Sequence, residues 1–250
     1  MLKNYLSLTR KTLGLALFLP IIVTLCSQSS DKGSSDSELI IMILIAAGIT
    51  GYLWYAACRL LNSFAPAIQE ASEKQAQFID ELPEKWALWG IAASACVSLS
   101  LQLAIIRWQG TEWEIFALYK NFGMLSCFAG LGLGYALAKR SDIPLVLTIP
   151  LLAVQTLLLV VMRHGMATWQ ITSLMTIPVA EQLVIGFSSS TAAHHLIAVY
   201  TFLTAMMLLT ALTFIPVGQV CGRFLERTSS LRGYGLNLLG SILGTVMMLF

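Results

Sequence analysis

Charge is scarce in this sequence: only 11% of its 250 residues are Asp, Glu, Lys or Arg, whereas 57% are hydrophobic. Soluble domains devote about a quarter of their residues to charge. A chain this apolar lacks the polar residues to cover a soluble core, and the hydrocarbon of a bilayer is the solvent that suits it. The net charge of +2 and the lack of a basic cluster argue against a nucleic-acid partner.

Recognisable catalytic and metal-binding motifs are also missing. The sequence has no HExxH, no nucleophile triad and no pair of carboxylates within an apolar run. The five cysteines form no CxxC pair and fall mostly in or beside apolar runs, which predicts packing residues rather than a disulfide framework or a metal site. The glycines of Gly130–Gly134 superficially look like a dinucleotide-binding loop, but no strand precedes them. We therefore expect no catalytic residue, metal or cofactor site in this chain.

Long apolar runs are abundant, and they predict an all-α, polytopic transmembrane bundle of about seven spans. The first is a span or a cleaved signal-like segment at 12–28, and the others lie at 38–61, 86–106, 116–138, 143–162, 191–217 and 234–250. Residues 62–85 have amphipathic spacing, which predicts a helix on the membrane surface or, alternatively, a solvated linker helix. Residues 163–190 suggest an interfacial or re-entrant helix.

The cations test this layout. With the N-terminus inside, eleven of the fifteen Lys and Arg residues fall in inside segments, and only Lys32, Arg107, Lys120 and Arg163 fall outside. Cytoplasmic loops carry such an excess of Lys and Arg. The pattern therefore predicts a cytoplasmic N-terminus.

Small and polar residues recur at helical spacing inside several spans. Ser126, Gly130, Gly134 and Ala138 form one stripe, and Gly240 and Gly244 form a GxxxG pair, which predicts close helix packing. Ser94, Ser98 and Gln102 share a face that should turn toward other helices. Pro150 is predicted to kink the fifth span.

Two sets of polar residues are candidate sites. The first is an intramembrane or interfacial set: Gln102, Lys120, Asn121, Gln155, Glu181, His194, His195 and Asn237. Lys120 alternatively snorkels to the headgroups, the histidines alternatively have no special role, and Glu181 is alternatively exposed at the interface. The second set is a glycine-containing cytoplasmic turn after Pro216, with Gln219, Arg223, Glu226 and Arg227, where Glu226 can pair with either arginine. It predicts either simple cationic anchoring or a docking surface for a cytoplasmic domain.

Three stretches together carry a family resemblance. LYKNFGMLSCFAGLGLGYALAKR (Leu118–Arg140), FIPVGQVCGRFLER (Phe214–Arg227) and GYGLNLLGSILG (Gly233–Gly244) resemble, in order and spacing, motifs of bacterial membrane proteins that are spermidine-synthase-like. In the same register SLSLQLAIIRWQG corresponds to their first conserved span. The resemblance covers about Ser94 to Phe250.

The resemblance implies the N-terminal transmembrane part of such a protein, in the bacterial cytoplasmic (inner) membrane. In that family a cytoplasmic Rossmann-like domain, similar to polyamine aminopropyltransferases, follows the bundle. This chain contains neither its nucleotide loop nor its catalytic acid, so we expect an anchoring domain that is not catalytic alone and that perhaps handles a polyamine. The alternatives are a stand-alone transporter lined by Gln102, Asn121, Gln155, His194 and Asn237, and a structural membrane subunit.

Overall fold

A computed structural model describes residues 2–28, 36–113, 116, 120–167, 193–228 and 230–249. All regular structure within these ranges is helical. The helices are α1 (Leu2–Gln28), α2 (Asp36–Glu81), α3 (Glu84–Glu112), α4 (Lys120–Ala136), α5 (Thr148–Ala167), α6 (Ala193–Glu226) and α7 (Ser230–Met247), with a 3-10 turn (Leu145–Leu147) before α5. The prediction of an all-α protein is confirmed.

Within the described ranges, five segments are long and apolar enough to cross a membrane. They are found in α1, α2, α3, α6 and the stretch from the 3-10 turn into α5. Their bounds are Leu2–Ile22, Ile43–Glu81, Glu84–Glu112, Leu145–Arg163 and Tyr200–Glu226. Helix α4 has only 17 residues, and α7, with 18, includes Arg232 and Asn237. Composition and length therefore support a membrane protein, but they do not clearly give seven spans.

Helix α6 is the centre of the bundle. Its core residues Phe202, Met206, Leu209 and Leu212 recur every three or four positions and are almost fully buried. They pack in one cluster with residues of α1 and α5. Pro216 lies inside α6, which continues to Glu226. The turn predicted after Pro216 is therefore wrong, because neighbouring helices allow a proline to be accommodated within a packed apolar helix.

The stripe of small residues on α4 lies against α6. A Cβ atom on Gly130 would overlap the carbonyl oxygen of Ala211, and one on Gly134 would overlap the carbonyl oxygen of Ile215 and the Cα of Gly218. The contact is reciprocal, since a Cβ on Gly218 would overlap the backbone of α4. The predicted close packing is confirmed, and its partner is α6.

The GxxxG pair of α7 packs on α3 in the same way. A Cβ atom on Gly240 would overlap the carbonyl of Ala92, and one on Gly244 would crowd that of Cys96. Ser100 Oγ donates a hydrogen bond of 3.2 Å to the carbonyl of Gly244. This second packing prediction is also confirmed.

Helix α2 corrects the prediction for residues 62–85. Its 46 residues run without a break through 62–81, so no separate surface helix is formed. One face of this half, including Ile68, Ser72 and Ile79, is buried against the protein. Phe64 and Phe78, in the same half of the helix, are 58% and 66% exposed. The amphipathic spacing thus corresponds to a helix with one face packed on the protein, and the location at a membrane surface or in a solvated linker stays a prediction.

Other helices extend beyond the spans predicted from the sequence. Helix α3 continues to Glu112, beyond the predicted span 86–106, and α1 begins at Leu2, with Leu2 buried in the core. Pro150 lies in the first turn of α5, where its missing N–H removes no hydrogen bond from the interior of the helix. The interfacial or re-entrant helix predicted for 163–190 lies largely outside the described residues.

Candidate functional site

A cluster of neutral polar side chains lies where α3, α5 and α6 meet. Gln109 Nε2 and Gln155 Nε2 both donate to Thr210 Oγ1, over 3.2 Å and 3.1 Å. All three residues are at most 2% exposed. Gly123 of α4 leaves room beside them, since a Cβ atom there would lie 3.0 Å from Gln109 Oε1. We call Gln109, Gln155 and Thr210 the amide cluster.

One acceptor of the amide cluster is unused. Gln155 Oε1 is buried and has no hydrogen-bond partner among the described residues. Leaving such a group unpaired costs about 1–3 kcal/mol, so it calls for an explanation. The cluster contains no ionisable group, and its chemistry is limited to donating and accepting hydrogen bonds. It suits a hydroxyl, an amine or a water molecule as a ligand.

The predicted intramembrane set is only partly gathered here. Of its eight residues, only Gln155 belongs to the amide cluster. Gln102 is buried on α3, as predicted for the polar stripe, whereas Asn121 is exposed and Asn237 is half-buried on α7. Glu181 and the side chains of Lys120, His194 and His195 lie outside what the structure describes.

Two members of the amide cluster, Gln109 and Thr210, are not among the site residues predicted from the sequence. Gln109 lies between the predicted spans 86–106 and 116–138, although it stands seven positions after Gln102 and so continues the same helical face. Thr210 gave no signal, because a single threonine in an apolar run is common. No group of three His, Cys, Asp or Glu side chains suited to a metal occurs in the described part of the chain.

Aromatic rings lie about one to two helical turns from the amide cluster, toward one end of the bundle. The ring centroid of Phe202 is 5.5 Å from that of Trp113 and 5.7 Å from that of Phe116. Trp113 Nε1 also donates to the carbonyl of Leu159 over 3.4 Å. These contacts tie α3, α5 and α6 together on that side of the cluster.

At the opposite end of α6, Arg223 joins three parts of the fold. Its Nε donates to Asp80 Oδ1 over 2.8 Å, and its Nη2 pairs with the second oxygen of the same carboxylate. Its Nη1 donates to the carbonyls of Ala138 and Arg140, after α4. The hydrogen bonds from the Arg223 guanidinium hold the pKa of Asp80 below its usual value, against the opposing effect of partial burial.

Gln219 and Arg227 act in the same way on the same side of α6. Gln219 Nε2 lies 3.4 Å from the carbonyl oxygen of Leu137 and 3.3 Å from that of Asp142. Arg227 donates to the carbonyls of Ile79 and Leu82 near the end of α2. Carbonyls at and just beyond helix ends lack intrahelical hydrogen-bond donors. These side chains donate hydrogen bonds to such carbonyls. We call Gln219, Arg223 and Arg227 the α6 clamp.

The α6 clamp corrects the prediction of a turn after Pro216. Gln219, Arg223 and Glu226 lie on continuous helix, with Arg227 directly after it. Arg223 pairs with Asp80 rather than with Glu226, which is exposed. The two arginines are used inside the chain, where they fix α2 and the segment after α4 to α6.

No family model matches the chain, and no curated protein or solved structure matches it either. The resemblance to spermidine-synthase-like membrane proteins therefore remains a prediction carried by the three sequence stretches.

Proposed function

We propose that this chain is a membrane-anchoring domain, a bundle of seven crossings in the bacterial inner membrane with a cytoplasmic N-terminus. The observation that carries the proposal is that the small residues of its helices and the α6 clamp contact other parts of the same chain. Close contacts between helices are made at Gly130 and Gly134 of α4, Gly218 of α6, and Gly240 and Gly244 of α7, and the α6 clamp binds α2 and the segment after α4. This is the arrangement of a rigid, closed bundle.

The spacing of tryptophans on α3 supports the membrane location. Trp86 and Trp108 are 22 positions apart, which corresponds to about 33 Å along a helix. The hydrocarbon core is about 30 Å thick, and tryptophans favour its two boundaries. The distribution of Lys and Arg described above supports the orientation.

The spermidine-synthase-like relationship is part of the proposal. Two of the three stretches that carry it meet in space, since Gly134 of the first packs on Gly218 of the second. We propose that the bundle serves a cytoplasmic Rossmann-like domain acting on a polyamine. With seven crossings and a cytoplasmic N-terminus, residue 250 faces outward, so such a domain requires one further crossing after it.

The test is membrane integration followed by a search for the domain. Residues 1–250 should stay in the membrane fraction after extraction with alkaline carbonate. The reading frame after Phe250 should encode an apolar span, then a strand, a glycine-rich turn and a helix. Release by carbonate would overturn the membrane location, whereas a stop codon directly after Phe250 would overturn only the link to a catalytic domain.

Small-molecule transport is the second candidate, favoured by the free Gln155 Oε1 in the amide cluster. Spermidine uptake into proteoliposomes tests it directly. Transport through the cluster predicts uptake that falls in Gln155→Leu and Thr210→Val but not in Gly132→Ala, whose site faces open space. Absence of uptake, or uptake unchanged in both cluster variants, would rule this candidate out.

A further inference from the structure

A cleft of about 510 Å³ lies between α3 and the last turn of α7. Leu103 and Ile106 of α3 form one wall, and Met248 and Leu249 form the other. Pockets that hold organic ligands fall in the same range of about 300–1,000 Å³. The glycine contacts that press α7 onto α3 are made further along, at Ala92 and Cys96.

Arg107 is the charged residue among those that line the cleft. Its side chain is exposed, and it makes no ion pair or hydrogen bond with any residue that the structure describes. The nearby carboxylate of Glu112 is already paired with Arg163 at 2.8 Å. The hydroxyls of Thr111 and Thr245, also on the cleft, donate to carbonyls of their own helices.

An apolar cleft with an unpaired guanidinium at its edge matches an amphiphile with an anionic head and an apolar tail. A soluble anion would gain nothing from the apolar walls, and a purely apolar ligand would gain nothing from the charge. Arginine presents several donors in a planar fork that suits phosphate oxygens. Within the membrane location proposed above, on which this inference rests, phospholipids are the abundant molecules of this kind.

We propose that the cleft binds an anionic membrane phospholipid, with an acyl chain between α3 and α7 and the phosphate on Arg107. The ligand is a lipid and not free phosphate, because the apolar walls contribute to its binding. General attraction of Arg107 to headgroups would not depend on the shape of the cleft. The proposal therefore predicts that both the charge and the open cleft are needed.

The experiment compares wild type with Arg107→Gln, which removes the charge, and with Arg232→Gln as the matched control. Arg232 is exposed near the start of α7, at the far end of the α3–α7 pair. Native mass spectrometry of protein in detergent, titrated with phosphatidylglycerol or phosphatidylcholine, measures lipid affinity. We expect wild type and Arg232→Gln to prefer phosphatidylglycerol, and Arg107→Gln to bind it about tenfold more weakly.

A second variant, Thr111→Trp, tests the cleft while keeping the charge. Thr111 is exposed at its edge, so a large side chain there should obstruct the cleft without disturbing the core. We expect loss of bound phosphatidylglycerol and no change in unfolding temperature without lipid. Equal affinity for both lipids, or wild-type affinity in either cleft variant, would overturn the proposal. The proposal would also be overturned if inorganic phosphate alone stabilised the protein as the lipid does, or if the cleft were the interface of a lipid-free dimer. Carbonate extraction, performed first, separates these outcomes from failure of the membrane location.

Discussion

Gln155 and Thr210 have different hydrogen-bonding roles in the amide cluster, although both are buried and polar. Gln155 brings an oxygen without a described partner, whereas Thr210 Oγ1 is the shared acceptor of two amide groups. Removing a group whose oxygen is unpaired can be neutral or stabilising, whereas removing a shared partner leaves buried donors unpaired. The two residues therefore respond differently to apolar substitution.

We expect Gln155→Leu to leave the free energy of unfolding unchanged or to raise it slightly. Thr210→Val should lower it by about 1–3 kcal/mol, because two amide donors lose their acceptor. Thermal unfolding in detergent, followed by circular dichroism, measures both. Thr213→Val is the control, since the hydroxyl of Thr213 donates only to the carbonyl of Leu209 on its own helix. An equal loss in all three variants would contradict the role given to Thr210.

The Asp80–Arg223 pair predicts a dependence on pH. Because the pKa of folded Asp80 is lowered, the stabilisation is present above its unfolded pKa and is lost as the pH falls through the folded value. We expect wild type to lose stability in acid relative to Asp80→Asn, in which this contribution is absent. The carboxylate side chain is 49% exposed, so the effect should stay below about 1 kcal/mol.

Unfolding temperatures between about pH 3 and pH 7 measure this difference. Glu81→Gln is the matched control, since Glu81 is a neighbouring exposed acid without an ion pair to a described residue. It should follow the wild-type profile. A profile of Asp80→Asn that also matches wild type would show that the ion pair contributes nothing measurable.

Among the helices, α4 and α6 show which features of a helix contact can be predicted from the sequence. The four-residue spacing on α4 predicts a close contact, because small residues let backbones approach. It does not identify the partner, since any helix with small residues could fit. The small residues of α6, Gly218 and Gly222, were instead interpreted as a turn because Pro216 precedes them. Packing in the folded bundle overrode that local signal.

The amide cluster and α2 also show that the sequence indicates which face of a helix is buried but not what that face contacts. Periodicity correctly placed Gln102 on a buried face, but the choice of which polar residues meet depends on how α3, α5 and α6 are arranged. On α2 the amphipathic pattern predicts a helix with one apolar face, but it does not show that part of this face packs on the protein. Sequence pattern thus determined helical character and faces, whereas the pairing of faces required the tertiary structure.

The contact between α4 and α6 predicts a strong difference between neighbouring glycines. Gly134→Ala should destabilise the protein by about 1–3 kcal/mol, because its methyl group would overlap the backbone of α6. Gly132→Ala, two positions away, meets open space and should be neutral or slightly stabilising through higher helix propensity. Thermal unfolding in detergent measures both. Equal destabilisation would show that helix propensity or lipid contact, and not packing on α6, governs this helix.

For the molecule as a whole, the number of crossings follows from how its less apolar or shorter helices pack. Among the described residues five segments satisfy both length and hydropathy, whereas α4 has only 17 residues and α7 includes Arg232 and Asn237. Both of these helices nevertheless pack closely along long apolar partners, α4 on α6 and α7 on α3. A helix whose small or polar face packs along a long apolar partner can cross with a shorter or less hydrophobic segment than one surrounded by lipid. This is why we retain seven crossings as the proposal.

Cysteine accessibility tests that number through α4. Exposed residues Thr111, at the end of α3, and Ser141, after α4, are replaced singly by cysteine in a variant whose native cysteines are alanine. With a cytoplasmic N-terminus, a membrane-impermeant maleimide should label Thr111→Cys in intact cells and Ser141→Cys only after permeabilisation, because α4 separates them. Glu226→Cys should behave like Ser141→Cys, since α5 and α6 cross twice between them. Labelling of positions 111 and 141 from the same side would show that α4 does not cross. Labelling of 141 but not 111 in intact cells would retain the crossing and reverse the orientation.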